Sequence, residues 1–301
     1  MNQEAVADPA RSPSGGPAHI LPAILTAFVL LQSAGGLLIG GLYRDNAWVV
    51  SIYRGTDWVT LLLVVPVLIA SLRLARGGSL RARLVLAGTL YYVFYNNVYY
   101  QFTAFNRFFL VYVAIFVLSA AALIAVLLGT NAGRVAASDR VRKPVSLAMF
   151  AMAAILAVMW IGQNILFIAD GKVPQLIADT GGITHMVAAL DLTLIVPLLA
   201  LGAAWLWKGR PWGRVITTAM AVQCSLITIV LLVGTPFQAA AGVKDAWAFF
   251  PLWAFMGIVF WTSAALMLIS IGKASEGPDA RCSIPGYPPP EESGRVNAGK
   301  A

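Results

Sequence analysis

Charge is the scarcest thing in this sequence: Asp, Glu, Lys and Arg make up 11% of 301 residues, where an average soluble domain carries about 25%. Cysteine is nearly absent as well, with Cys224 inside an apolar run and Cys282 near the C-terminal end. Neither has a partner at paired spacing or a histidine beside it, which argues against a disulfide framework and against a zinc site. No HExxH, GxSxG, CxxC, phosphate-binding loop or dinucleotide fingerprint occurs. No cofactor or metal is therefore expected, and no enzyme class has motif support. Acid and base work by Asp and Tyr stays open. The formal charge of +8 comes from short clusters between apolar runs and not from one basic patch. That pattern argues for membrane orientation and against nucleic acid.

What the sequence has in abundance is apolar surface, with 59% hydrophobic residues and a mean hydropathy of +0.78. About 20 apolar residues at 1.5 Å rise cross the roughly 30 Å hydrocarbon layer. Such runs at 20–43, 58–74, 84–105, 108–129, 145–169, 184–207, 215–237 and 249–271 predict an all-α, polytopic bundle of eight transmembrane helices, with the lipid bilayer as its first partner. Only Asn106 and Arg107 separate the third run from the fourth. A joined helix would be too long for the bilayer, so a tight turn is expected there. Residues 1–18 hold Pro9, Pro13 and Pro17 and read as a disordered arm, and 274–301, with Pro288, Pro289 and Pro290, as a disordered tail. The arm is too poor in basic residues for a signal peptide. The PxxP at Pro285–Pro288 reads as linker.

Short loops rich in Lys and Arg stay in the cytoplasm. Arg73, Arg76, Arg81, Arg83, Arg134, Arg140, Arg142, Lys143, Lys208, Arg210 and Arg214 all fall between spans two and three, four and five, or six and seven. The other loops hold Arg44, Arg54, Arg107, Lys172 and Lys244 among acids. A bacterial plasma (inner) membrane protein with both termini cytoplasmic follows. Trp48, Tyr53 and Trp58 on the outer side, and Trp205, Trp207 and Trp212 on the inner, fall where aromatic belts belong.

Laid on span six at an offset of 131, span two places Leu61, Val65, Pro66, Gly78 and Arg83 on Leu192, Val196, Pro197, Gly209 and Arg214. Two four-span halves of the same orientation would form a 4+4 parallel repeat, an arrangement in which some transporters keep a site between the halves. Both Pro66 and Pro197 remove a mid-span donor and predict kinks. Gly36 and Gly40 form a GxxxG that allows close helix approach. The segments 57–97 and 185–216 each join an acid at the outer end of a span to a mid-span proline and a basic hairpin. In this they resemble a group of uncharacterised multi-span bacterial integral membrane proteins. The resemblance covers about half of the chain, implies the multi-span fold and brings no activity with it.

Ionisable side chains inside a bilayer cost about 2.5 to 3.5 kcal/mol at mid-helix, so they face a bundle interior. Asp191 lies six residues past His185, about 9 Å along the helix. It reads either as a site for a cation, a proton or a substrate amine, or as a structural acid bonded to a neighbouring helix. Asp57 reads as a charge at a span end. Span three carries Tyr91, Tyr92, Tyr95, Asn96, Asn97, Tyr99, Tyr100 and Gln101, polar on nearly every face, and so belongs in the centre of the bundle or against a second chain. Gln163 and Asn164 near the end of span five, with His185 and Asp57, share the outer leaflet, and Arg107 is a counter-charge candidate for Asp191. Gln32 and Gln223, nearer mid-membrane, read as interhelical glue. His185 and Asp191 stand about 120° apart around the helix and do not chelate a metal together.

These residues predict an outward-facing polar pocket, and with it the binding or translocation of a small solute or ion. Two other readings stay open. A scaffold would pair span three with another membrane protein or a second copy, and an embedded enzyme on a lipid-linked substrate would need Asp191, His185 and the tyrosines within a few ångströms of one another.

Overall fold

The structure, a computed structural model, describes residues 16–135 and 138–275. Nearly all of the expected arm and tail, with Cys282 and the PxxP motif, lies outside the described residues. Among those described, every element is a helix: α1 (Pro17–Leu38), α2 (Ala47–Arg76), α3 (Leu80–Gln101), α4 (Phe109–Leu128), α5 (Asp139–Asp170), a short α6 (Gln175–Thr180), α7 (Met186–Trp207), α8 (Pro211–Ala240) and α9 (Phe250–Ser275). Seven of them, all but α3 and α6, are long and apolar enough to cross a membrane. That set fits a multi-pass membrane protein. At 22 residues α3 equals α1 in length, but its tyrosines and amides dilute the hydropathy that marks the others.

Local signals set the helix ends. The Asn46 side chain accepts from the Val49 amide at 3.0 Å and starts α2 at Ala47, well before the expected start at 58. Ser79 caps α3 through the Ala82 amide, and Pro211 opens α8 at the position where a missing amide costs nothing. The connection after α3 runs over 102–108, longer than the tight turn expected at Asn106 and Arg107.

Each mid-span proline takes the form of a π-turn. In α2 the turn spans Thr60–Val64, and the Val65 amide bonds back to the Thr60 carbonyl; in α7 it spans Asp191–Ile195, and the Val196 amide bonds to the Asp191 carbonyl. Pro66 and Pro197 follow directly. A proline ring clashes with the carbonyl four residues back and offers no amide, and the wider turn relieves both problems.

Helices α3 and α8 pack on each other in the middle of the bundle, with α2, α4, α7 and α9 around them. A side chain on Gly88 would put its Cβ 2.6 Å from the Ala219 carbonyl, so that crossing requires glycine. At one end the arginines of the basic hairpins close exposed carbonyls. Arg142 donates to the Trp207 carbonyl at 2.7 Å, Arg214 to that of Val135 at 2.8 Å, Arg76 to that of His19 at 3.0 Å, and Arg83 to that of Gly129. Two of these, Arg142 on the last residue of α7 and Arg83 on the residue after α4, add a helix-capping role to the charge bias read from the loops. At the other end Asn46 donates to the Asp179 carbonyl, and Asp45 accepts from Thr103 and the Ala104 amide, tying the loops together.

Two expectations change. Tyr53 is not a belt residue: it is buried against Tyr43 and Tyr100, while Trp58, Trp207 and Trp212 remain exposed. The GxxxG pair does not act as one surface. Gly36 is in tight contact, whereas Gly40 lies past the helix end and faces open space.

Candidate functional site

Among the described residues, two carboxylates, Asp57 and Asp191, are buried, and α3 serves both. Asp191 is the first residue of the α7 π-turn. Its Oδ1 accepts from the Tyr95 hydroxyl at 2.6 Å and its Oδ2 from the Trp160 indole at 2.8 Å. Tyr95 and Tyr99 are one turn apart on α3, and their hydroxyls are 2.9 Å from each other. Tyr91, a turn earlier on the same stripe, donates to the Leu194 carbonyl inside the π-turn. The i, i+4 spacing read from the sequence therefore builds a ladder of phenols along the face of α3 that meets α7.

His185 caps the start of α7. Its Nδ1 accepts from the Ala188 amide at 3.3 Å and its Nε2 lies 3.2 Å from the Gln163 Oε1. One nitrogen accepting and the other donating to an amide oxygen is the pattern of a neutral ring. Burial lowers the pKa of His185 from its ordinary value, in keeping with that form. The ring stands edge-on to Trp160, centroids 4.9 Å apart. Trp160 thus sits between His185 and Asp191, and reading the sequence for ionisable groups missed it. Its spacing was legible, since Trp160, Gln163 and Asn164 are three and four residues apart on α5. Asn164 itself is exposed and makes no contribution to the cluster.

Asp57 is not a span-end charge. Because α2 starts at Ala47, it lies ten residues into the helix, roughly 15 Å from its start, and it is 0% exposed. The Tyr43 hydroxyl donates to Oδ2 at 2.6 Å and the Tyr100 hydroxyl to Oδ1 at 3.0 Å. A Cβ on Gly36 would fall 2.0 Å from Asp57 Oδ2 and 2.3 Å from the Tyr43 hydroxyl, so α1 closes the site from above. Tyr95 and Tyr100 are five residues apart, about 140° around α3, and point to the two carboxylates. Tyr53 joins the clusters: its hydroxyl donates to the Tyr99 carbonyl at 3.0 Å and its ring stacks on Tyr100 at 4.6 Å.

Asn97 faces α1 and donates to Gln32 Oε1 at 3.0 Å. A cavity of about 10 Å³ lies beside this pair, lined by Gln32, Thr60, Tyr92, Asn96 and Asn97. It has room for about one water. The Tyr92 hydroxyl and Asn97 Oδ1, both buried, find no partner on the protein there.

Arg107 does not neutralise Asp191. Both carboxylate oxygens are held by neutral donors, and the α3–α4 turn is bound to the α1–α2 loop through Asp45, which leaves Arg107 exposed in a groove beside Arg44. Of the ten side chains singled out, Asp191, Tyr95 and Tyr99 form one hydrogen-bonded chain, and His185 and Gln163 join it through Trp160. Asp57, Asn96 and Asn97 lie on other faces of α2 and α3, while Asn164 and Arg107 stand apart. The chain matches no family model, no curated protein and no solved structure.

Proposed function

We propose that the chain binds and translocates protons across a bacterial plasma membrane, with Asp191 as the proton-binding group and Tyr95 and Tyr99 as its relay. This is the ion branch of the solute-or-ion reading. The carrying observation is the unbroken hydrogen-bond chain from Tyr99 through Tyr95 to Asp191. Both Asp191 oxygens are already engaged at 2.6 and 2.8 Å, which leaves little free coordination for a metal cation or an amine. A proton needs no such space, because it moves by exchanging which atom donates. Water at the half-buried Tyr99 gives it a proton as Tyr99 donates to Tyr95 and Tyr95 to Asp191, and the reverse sequence returns the proton to water. Trp160 is a donor only, so it holds the carboxylate without relaying.

The magnitudes suit an acid held by neutral donors. An ionised Asp at mid-helix costs about 2.5 to 3.5 kcal/mol, and hydrogen bonds to a charged group return about 1.5 to 3 kcal/mol each. Two such bonds offset a penalty of that size, so the acid can be held inside the bundle without a cationic partner.

In this reading α3 is an eighth crossing, and the helices form two four-helix halves with the basic hairpins and both termini in the cytoplasm. The π-turns support the repeat: they begin at Thr60 and Asp191, 131 positions apart, and each is followed by Val-Pro. The Gly88–Ala219 contact is itself between positions 131 apart, as expected where an axis relates two halves. The scaffold reading draws less support, because Tyr91, Tyr92, Tyr95, Asn97 and Tyr100 of α3 are buried within the chain. The test is proton uptake into liposomes carrying the purified protein, driven by a potassium diffusion potential. Wild type should acidify the lumen and Asp191→Asn, still folded, should not; equal rates would defeat the proposal.

A further inference from the structure

A second site lies at the end of the bundle away from the basic hairpins. A groove of about 710 Å³ opens between the α1–α2 loop and the α3–α4 turn, lined by Arg44, Arg107 and a wall of Phe105, Phe109 and Leu110. Its volume lies within the roughly 300 to 1,000 Å³ of small-molecule sites. Two features set it apart from ordinary lipid-facing surface. First, Arg44 and Arg107 line one concavity, and among the described residues neither forms an ion pair. The acid next to Arg44 in sequence, Asp45, is turned away to Thr103 and the Ala104 amide. Second, the charged pair adjoins an exposed apolar wall: Phe105 and Leu110 are each 76% exposed. The groove stands where α1 ends and α4 begins, at the level where apolar helices give way to polar loops.

Two unpaired guanidiniums above an apolar wall are complementary to an anionic head with a hydrocarbon chain. Guanidinium forks match phosphate oxygens in pairs, and the aromatic and leucine side chains suit methylenes. We propose that this groove binds an anionic phospholipid, its phosphate on Arg44 and Arg107 and the first part of an acyl chain along Phe105, Phe109 and Leu110. The site shares no residue with the Asp191 cluster, so it stands or fails independently of proton translocation.

The test uses the full-length protein purified in detergent, supplied with phosphatidylglycerol and phosphatidylcholine in equal amounts, with retained lipid counted by native mass spectrometry. Wild type should keep phosphatidylglycerol in preference to phosphatidylcholine. Arg44→Ala combined with Arg107→Ala should lose it by about tenfold, whereas Arg81→Ala combined with Lys208→Ala, exposed cations at the other end, should retain it. Arg44→Lys combined with Arg107→Lys keeps the charge and should retain an intermediate amount, which separates loss of the site from loss of fold. The proposal is overturned if the alanine pair holds phosphatidylglycerol as wild type does, or if both lipids are retained equally. It is also overturned if soluble glycerol 3-phosphate displaces the lipid at equal concentration, since the groove would then be an anion site without need of a chain.

Discussion

The carboxylates at 57 and 191 are both buried and both held by two neutral donors, yet their surroundings differ. Asp57 is 0% exposed and Asp191 9%. Asp57 is sealed under α1 at Gly36, inside a cluster of tyrosine rings, and bonded by Tyr43 and Tyr100, whose hydroxyls both donate to the one carboxylate. Asp191 lies near the start of α7 beneath His185 and Gln163, and its donor Tyr95 continues to Tyr99. Under the proposed reading, the hydrogen-bonded continuation from Tyr95 to Tyr99 is what separates Asp191 from Asp57 as a proton site. Asp57 in the same reading is a structural acid, tying the α1–α2 loop at Tyr43 and α3 at Tyr100 to α2.

The widest separation between the two should appear when each acid is neutralised. Proton flux in liposomes is expected to fall on the order of 100-fold in Asp191→Asn, whereas Asp57→Asn should keep flux per folded molecule within about threefold and lose thermal stability instead. The glycines give the next contrast. Gly36→Ala should destabilise by about 1 to 3 kcal/mol, because its Cβ overlaps Asp57 and Tyr43. Gly162, beside the Asp191 cluster on α5, faces open space, and Gly162→Ala should gain about 0.5 to 1 kcal/mol by helix propensity. Thermal unfolding in detergent reads both. Replacing a single donor should be milder: Tyr95→Phe is expected to slow flux about tenfold by cutting the relay, while Tyr100→Phe lowers the melting temperature and leaves flux near wild type. Equal flux loss in the two tyrosine variants would erase the distinction. Asn164→Ala, on the exposed side of α5, should change neither quantity.

Much of the frame was legible in the sequence, because apolar runs of spanning length announce themselves and prolines mark where a helix must adjust. The tyrosine stripe of α3 was legible for a similar reason: residues four apart must share a face, whichever way the face turns. Partners were not legible. Asp57 looked like a boundary charge because Trp48, Tyr53 and Arg54 resemble loop and belt residues, and the Asn46 cap that extends α2 by more than two turns carries little weight in a hydropathy reading. Trp160 escaped notice because an indole in an apolar run reads as core until an acid is found at its nitrogen. Arg107 was paired with Asp191 on charge and depth alone. The loop contacts of Asp45 that turn it elsewhere depend on tertiary geometry that no spacing encodes.

On the proposed function, the carboxylate at 191 takes up and releases a proton within the membrane. Infrared difference spectroscopy of the protein in liposomes, recorded across a pH step, reads the carbonyl stretch of a protonated buried carboxyl group directly. A band should appear on acidification, persist in Asp57→Asn and be absent from Asp191→Asn. A band unchanged by Asp191→Asn would contradict that function.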